Sequence, residues 1–148
     1  MSSLSSLTRV STVALLLLGL TGVATTAQSA DETAKPGVVI QVSENNPAVW
    51  NLALNNANNI IQAKGGKDKV DVEIVAYGPG INMLKFDSEV APRLKEANNS
   101  GVAIRACGNT MKNAKLTEKD LDGNVKVIPA GVIEIMDKQK QGWAYIRP

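Results

Sequence analysis

No histidine occurs anywhere in the 148 residues, and there is a single cysteine, Cys107. The first absence removes imidazole general-base catalysis, cysteine–histidine hydrolysis and most zinc sites together. The second removes any internal disulfide, so Cys107 is a buried inert thiol, half of an intermolecular bridge, or a free reactive thiol. Aromatic residues make up only 3% of the chain, and although the formal net charge is +2, no basic run is interleaved with them. A nucleic-acid partner, which needs clustered phosphate neutralisation, is therefore not expected. Long apolar runs are scarce as well. The one candidate, Val10 to Val23, falls short of the roughly 18–20 residues that span a bilayer.

That run fits another pattern. Met1 to Arg9 carries one positive charge, Val10 to Val23 is an apolar centre containing Leu15 to Leu18, and Ala24 to Ala30 is rich in small residues. This is the layout of a secretory signal peptide. We therefore expect residues 1–30 to be a signal peptide, residues 31–37 a flexible leader, and residues 38–148 one α/β domain. The product is expected in the periplasm, with no stable membrane insertion after cleavage. A domain of this size sustains a single core without disulfide staples.

Within that domain, Val38 to Val42 is a nearly continuous apolar run rich in β-branched residues, the pattern of a strand covered on both faces. Ser43 to Asn46 follows as a loop of cap residues, and Pro47 stands where a first helical position belongs. Trp50, Ala53, Leu54, Ala57, Ile60 and Ile61 then recur at helical spacing to about Ala63, with an asparagine-rich polar face, and Gly65-Gly66 closes the helix. A second strand is read over Val70 to Tyr77, ended by Gly78-Pro79-Gly80. Next comes a helix capped by Asp87 or Ser88, carrying Val90, Leu94 and Ala97. The third strand, Val102 to Ala106, runs into Cys107 and a short helix to about Ala114. Thr117 caps another short turn, Val125 to Ile128 is a fourth strand, Val132 to about Gln139 a helix, and Trp143 to Ile146 a last strand.

Five strands alternating with helical segments predict a mostly parallel sheet with helices on both faces. One crossover hand places the loops after the strands along one edge, where such sheets bind ligands. The candidate site therefore gathers Cys107, Gly108, Asn109 and Thr110 with Asn45, Gly78, Gly80 and Gly131. Lying between a strand and a helix N-terminus, Cys107 is favoured as a thiolate, the form that attacks disulfides or accepts sulfane sulfur. A structural thiol finishing a core strand is the alternative, since free cysteine is among the most buried residue types. Arg105 is expected at a surface or subunit contact, Met83, Met111 and Met136 in the core, and Trp143 and Tyr145 in the core or a subunit interface. No metal site and no organic cofactor are expected.

The run Gly101-Val102-x-Ile104-x-Ala106-Cys107-Gly108-Asn109-Thr110-Met111, then Val127 to Val132 and the ending Gln141-Gly142-Trp143-x-Tyr145-Ile146-x-Pro148, resembles the DsrE/DsrF-like family. The resemblance spans about Val38 to Pro148. It implies a three-layer, flavodoxin-like α/β fold, assembly into trimers or hexamers, and, as in sulfur-relay members, a cysteine that carries persulfide between donor and acceptor proteins. Carried onto this sequence, that residue is Cys107. The expected function is thus an exported sulfur carrier or sulfurtransferase-like protein. The alternative is a non-catalytic oligomeric module that binds a small anion or partner protein and keeps a structural cysteine.

Overall fold

In the computed structural model, which describes residues 35–148, the chain alternates strands and helices from Gly37 onward. The expected signal segment and most of the leader lie outside the described residues. Strand β1 is Gly37–Val42, buried along its whole length. Helix α1, Pro47–Lys64, begins as the sequence requires: the Asn46 side chain accepts from the Ala48 N–H at 3.0 Å, and Pro47 fills a position whose N–H would have had no partner. It ends at Gly65, whose φ of 89° is left-handed. Strand β2 is Asp71–Ala76, followed by a 3-10 turn over Gly78–Leu84. Helix α2 is Ala91–Asn99, β3 is Val102–Cys107, α3 is Gly108–Asn113, β4 is Lys126–Ile128, α4 is Gly131–Lys140 and β5 is Ala144–Ile146.

Every strand pair is parallel, and the order across the sheet is β4-β3-β2-β1-β5. The chain therefore steps in one direction from β1 to β4 and then returns across the sheet to place β5 beside β1. With a single crossover hand, the returning connection must put its helix on the opposite face. That is what packing shows. Val38, Ile40, Val42, Ile74, Ile104 and Ala106 face α1, α2 and Met111 of α3 in the main core. Val39 and Val75 face the other way, onto Ile135 of α4, with Tyr77, Ile128 and Trp143 at its margin. One layer thus holds three helices and the other holds α4 alone, which is the three-layer α/β architecture expected from the sequence.

Several local expectations are revised. Helix α2 starts at Ala91 rather than at Asp87 or Ser88, because Ser88 spends its side chain and carbonyl on a local turn, accepting from Val90 N–H at 3.4 Å and Ala91 N–H at 2.9 Å. Met136 is 42% exposed on the outer side of α4, while Met83 and Met111 are buried as expected. Trp143 precedes β5 instead of belonging to it. Its indole lies over Gly37, where any side chain would collide with the ring, and the Lys138 ammonium sits 4.1 Å from its ring centre. Arg105 is not a free surface cation: its Nε donates to Glu73 Oε2 at 3.1 Å, and Glu73 is 2% exposed. Among the described residues, no helix is long and apolar enough to cross a membrane.

Candidate functional site

The connections after β3 and β4 leave the sheet toward opposite faces, which makes the carboxyl ends of these two neighbouring strands a switch point of the topology. This is where parallel α/β sheets place ligands. Cys107 is the last residue of β3 and stands at that point. Asn109 N–H donates to Pro129 O at 3.2 Å, closing the two loops on each other. Gly131, the first residue of α4, comes so close that a Cβ there would lie 3.3 Å from the Cβ atoms of both Cys107 and Tyr77. A side chain on Gly131 would push α4 away from the sulfur.

Burial, which leaves Cys107 only 6% exposed, pushes its thiol up. The opposing groups win: the Thr110 hydroxyl and the backbone N–H groups of Gly131, Thr110 and Asn109 are placed to donate to the ionised sulfur, and together they hold the thiol below its ordinary value. Thr110 is itself oriented. Its Oγ1 accepts from the Gly78 N–H at 2.9 Å, which leaves the hydroxyl proton free for another acceptor. Gly78 has a φ of 52°, a conformation that glycine adopts without strain. The arrangement favours a thiolate without any neighbouring base.

Of the expected site residues, Gly108, Asn109, Thr110 and Gly131 surround Cys107, and Gly78 stands behind Thr110. Gly80 has another role: a Cβ there would fall 2.3 Å from the Val42 carbonyl oxygen, so it permits the 3-10 turn to lie against the end of β1. Asn45 is exposed in the β1–α1 loop and makes no hydrogen bond to the Cys107 loops among the described residues. The sequence reading missed Gln41 and Tyr77, took Ser43 only as part of the loop after β1, and gave Tyr145 to the core or a subunit interface. Tyr145 Oη donates to Gln41 Oε1, and Gln41 Nε2 donates to Ser43 Oγ at 3.1 Å. Continuing the registers of β1–β2 and β2–β3 by one residue sets Ser43 beside Tyr77 and Tyr77 beside Cys107. The Tyr77 N–H donating to Val42 O at 3.1 Å carries the ladder that far. Only the strand order brings these residues together; their alternation along each strand was the available signal.

A model of the DsrE/DsrF-like family matches residues 37–148, which is the whole of the described fold from β1 onward. The chain belongs to the DsrE/DsrF-like family. Among solved structures, it is similar to MTH1491 from Methanobacterium thermoautotrophicum, a protein of unknown function, at 34% identity and a TM-score of 0.73, over 77% of this chain and 100% of that one. BT1422 from Bacteroides thetaiotaomicron, a conserved protein of unknown function, shares the fold at 20% identity and a TM-score of 0.59, over 76% of this chain and 94% of that one. No curated protein matches. Membership of the DsrE/DsrF-like family therefore brings a fold and a set of possible chemistries, and the site has to be argued from its own residues.

A second polar group lies deeper under α4. Glu73 is flanked by Arg105 and by Lys138, whose Nζ is 3.8 Å from Oε2 and 3.7 Å from Glu134 Oε1. Its other oxygen, Oε1, is buried without a partner. Burial raises the Glu73 carboxyl above its ordinary value, Lys138 and Arg105 pull it back, and Glu134 adds to the rise. The same helix thus meets charge at its far end and the thiol at its beginning.

Proposed function

We propose that the protein is a sulfur carrier or sulfurtransferase-like protein in which Cys107 accepts sulfane sulfur as a persulfide. What supports this reading is the place of Cys107 at the carboxyl end of β3 with Gly131 of α4 packed against it, together with the Thr110 hydroxyl and neighbouring backbone N–H groups that hold its thiol below the ordinary value. The thiolate attacks the outer sulfur of a donor R–S–SH. A bond forms between Cys107 Sγ and that sulfur, the donor S–S bond breaks, and its electron pair leaves on R–S⁻. Cys107 is left as a persulfide, and an acceptor thiolate removes the sulfur by the same reaction in reverse. Neither step requires an oxidant or a cofactor.

Export of the chain by residues 1–30 to the periplasm is part of the proposal and rests on the sequence pattern alone. So is self-association into a trimer or hexamer. In support of it, Val132, Ile133 and Met136 are 42–55% exposed on α4, an apolar stripe suited to a second copy of the chain. Donor and acceptor proteins would then meet Cys107 at the open end of the sheet.

Mass spectrometry after exposure to polysulfide tests the carrier role. The intact protein should gain about 32 Da, one sulfur atom, on Cys107, and the gain should be reversed by dithiothreitol. Absence of the increment in the native protein refutes it. The burial of Cys107 favours a second reading, a structural thiol in a binding module. In that case Cys107→Ser would keep every binding property of the parent, and the native thiol would react only after unfolding.

A further inference from the structure

Cys107 is only 6% exposed, so a reagent of any size reaches its sulfur when something moves, and α4 is the element whose first residue packs against it. That helix rests on its face of the sheet through Ile135 on Val39 and Val75, a small apolar contact beside the core of the other layer. We propose that Glu73 and Glu134 share one proton and that this proton latches α4 over Cys107, so that its loss to solvent frees the helix to open. The latch governs access to the sulfur and does not depend on what the sulfur carries.

The charges beneath α4 are gathered around one ammonium. Lys138 Nζ lies 3.8 Å from Glu73 Oε2 and 3.7 Å from Glu134 Oε1, which makes the carboxyl of the sheet and that of the helix neighbours. Glu73 Oε2 is committed, since it also accepts from Arg105 Nε at 3.1 Å. Oε1 is buried without a partner, on a residue only 2% exposed. An ionised carboxylate leaves that oxygen charged and uncompensated; a protonated one makes it a donor, and the Glu134 carboxyl stands within hydrogen-bonding reach as its acceptor. Two ionised carboxylates have no proton with which to form this bond, and at close range they repel. The other groups around Glu73 leave the pair to itself. Its neighbour on β1 is the apolar Val39, β3 supplies Ala103 and Arg105, Lys138 is also engaged by the Trp143 ring at 4.1 Å, and Tyr145 of β5 gives its hydroxyl to Gln41.

Glu134 belongs to the first turn of α4, next along the helix from Gly131, where a Cβ would lie 3.3 Å from the Cβ of Cys107. The far end of the helix has a separate hold, through Lys138 on the Trp143 ring and that ring over Gly37. Breaking the bond between the two carboxyls therefore loosens the end that covers the sulfur. Burial fixes the direction. Closing α4 takes the Glu73 carboxyl out of water, and burial foremost, with Glu134 adding to it, holds that carboxyl above its ordinary value against the pull of Lys138 and Arg105. The closed form keeps the proton at a pH where an opened one gives it up. Closure is thus supported in full below the ordinary carboxylate value, and the support is lost as pH rises through the value of the closed form.

Glu73→Gln tests the latch, because the amide keeps the shape and the donor of the protonated carboxyl and cannot lose them. Amide hydrogen exchange of α4 peptides is measured across pH in both proteins, and the ratio of wild type to variant cancels the intrinsic pH dependence of exchange. That ratio should be close to one below the ordinary carboxylate range and rise above it by up to about tenfold per pH unit, the limit for one proton. The ratio of iodoacetamide labelling at Cys107 should rise in step, while exchange in α1 stays equal in the two proteins. An ionised Glu73 by itself disfavours a thiolate and slows labelling, so its field does not mimic this result. Ratios flat with pH overturn the latch. A rise shared by α1 also overturns it, as a global loss of stability, and so does a rise in α4 exchange with none at Cys107. Should Glu73→Gln fail to fold, Glu134→Gln decides: its amide can donate to ionised Oε1 where Glu134 repels it, so the pH dependence of α4 exchange should move to lower pH, and an unchanged dependence overturns the pairing. Neither measurement uses a sulfur donor, so the outcome is separate from that of the carrier reading.

Discussion

Thr110→Val is the sharpest probe of the thiolate site, because it removes one oxygen and its proton while keeping the shape of the side chain. Two hydrogen bonds end on that oxygen: the hydroxyl is placed to donate to Cys107, and Oγ1 accepts from the Gly78 N–H at 2.9 Å. Loss of a hydrogen bond to a charged group costs about 1.5–3 kcal/mol, which corresponds to roughly a 10- to 150-fold smaller thiolate population at a pH below the titration. The remaining thiolate is more basic and intrinsically more nucleophilic. With a Brønsted coefficient of about 0.4–0.5, the net fall in alkylation rate at a pH below the titration is about 3- to 20-fold. The assay is the rate of iodoacetamide labelling of the folded protein across pH, with the unfolded protein as the reference for intrinsic reactivity. The profile should move to higher pH in Thr110→Val and return in Thr110→Ser. The abandoned Gly78 N–H costs about 1–3 kcal/mol of stability besides, seen as a lower Tm. A labelling profile unchanged in Thr110→Val, in a protein that remains folded, would falsify the assignment of Thr110 as a donor to the sulfur.

The lowered Cys107 thiol also has a stability signature: it contributes stability that is fully present above the unfolded thiol value and is lost as pH falls through the folded value. The Tm difference between wild type and Cys107→Ala should therefore grow in favour of wild type as pH rises through that window. Glu73 has the opposite sign, since its raised carboxyl contributes stability present below the unfolded carboxylate value and lost as pH rises through the folded one. Glu73→Gln should gain stability relative to wild type as pH rises through and above the ordinary carboxylate range, as followed by thermal melts, and a constant difference would refute the shift. Gly80→Ala drives a methyl group to within 2.3 Å of the Val42 carbonyl oxygen, a backbone atom that cannot turn aside, and should cost about 1–3 kcal/mol or more by chemical denaturation. Ile133→Glu on the exposed stripe of α4 should lower the mass measured by light scattering while leaving the circular dichroism of the fold intact; an unchanged mass argues against this face as the contact between copies.

Elements whose signals are local were legible in the sequence. Pro47 after a cap-rich loop marked the start of α1 to the residue, and the β-branched run of β1 announced a strand buried on both sides. The position of Cys107 at a strand-to-helix join was equally readable, because glycine at 108 and the cap chemistry around it are neighbours in the chain. What the sequence concealed depends on strand order. The alternation of Val70 to Ile74 reads as a half-exposed strand, yet Glu73 is buried, because β3 brings Arg105 and α4 brings Lys138 to its carboxylate. The same holds for the row from Tyr145 to Tyr77: β5 pairs with β1 only after the chain has crossed the whole sheet, so residues 104 positions apart share a hydrogen bond. Helix α2 was misplaced for a different reason, since a serine that closes a local turn looks in one dimension like a serine that caps a helix.

The return crossover also sets the order in which the molecule becomes itself during synthesis. Strands β1 to β3 and their helices are complete by residue 113, with Cys107 and Thr110 already in place, but Gly131 and all of α4 emerge later. Until they do, the sulfur lacks one of its donors, and the face of β3 that carries it is open to water. A nascent or truncated chain therefore holds its thiol with neither the burial that raises it nor the Gly131 N–H that helps to lower it. The surroundings of this cysteine are complete only when the segment from Gly131 onward closes over the sheet, so that the thiol's environment is among the last things the chain builds.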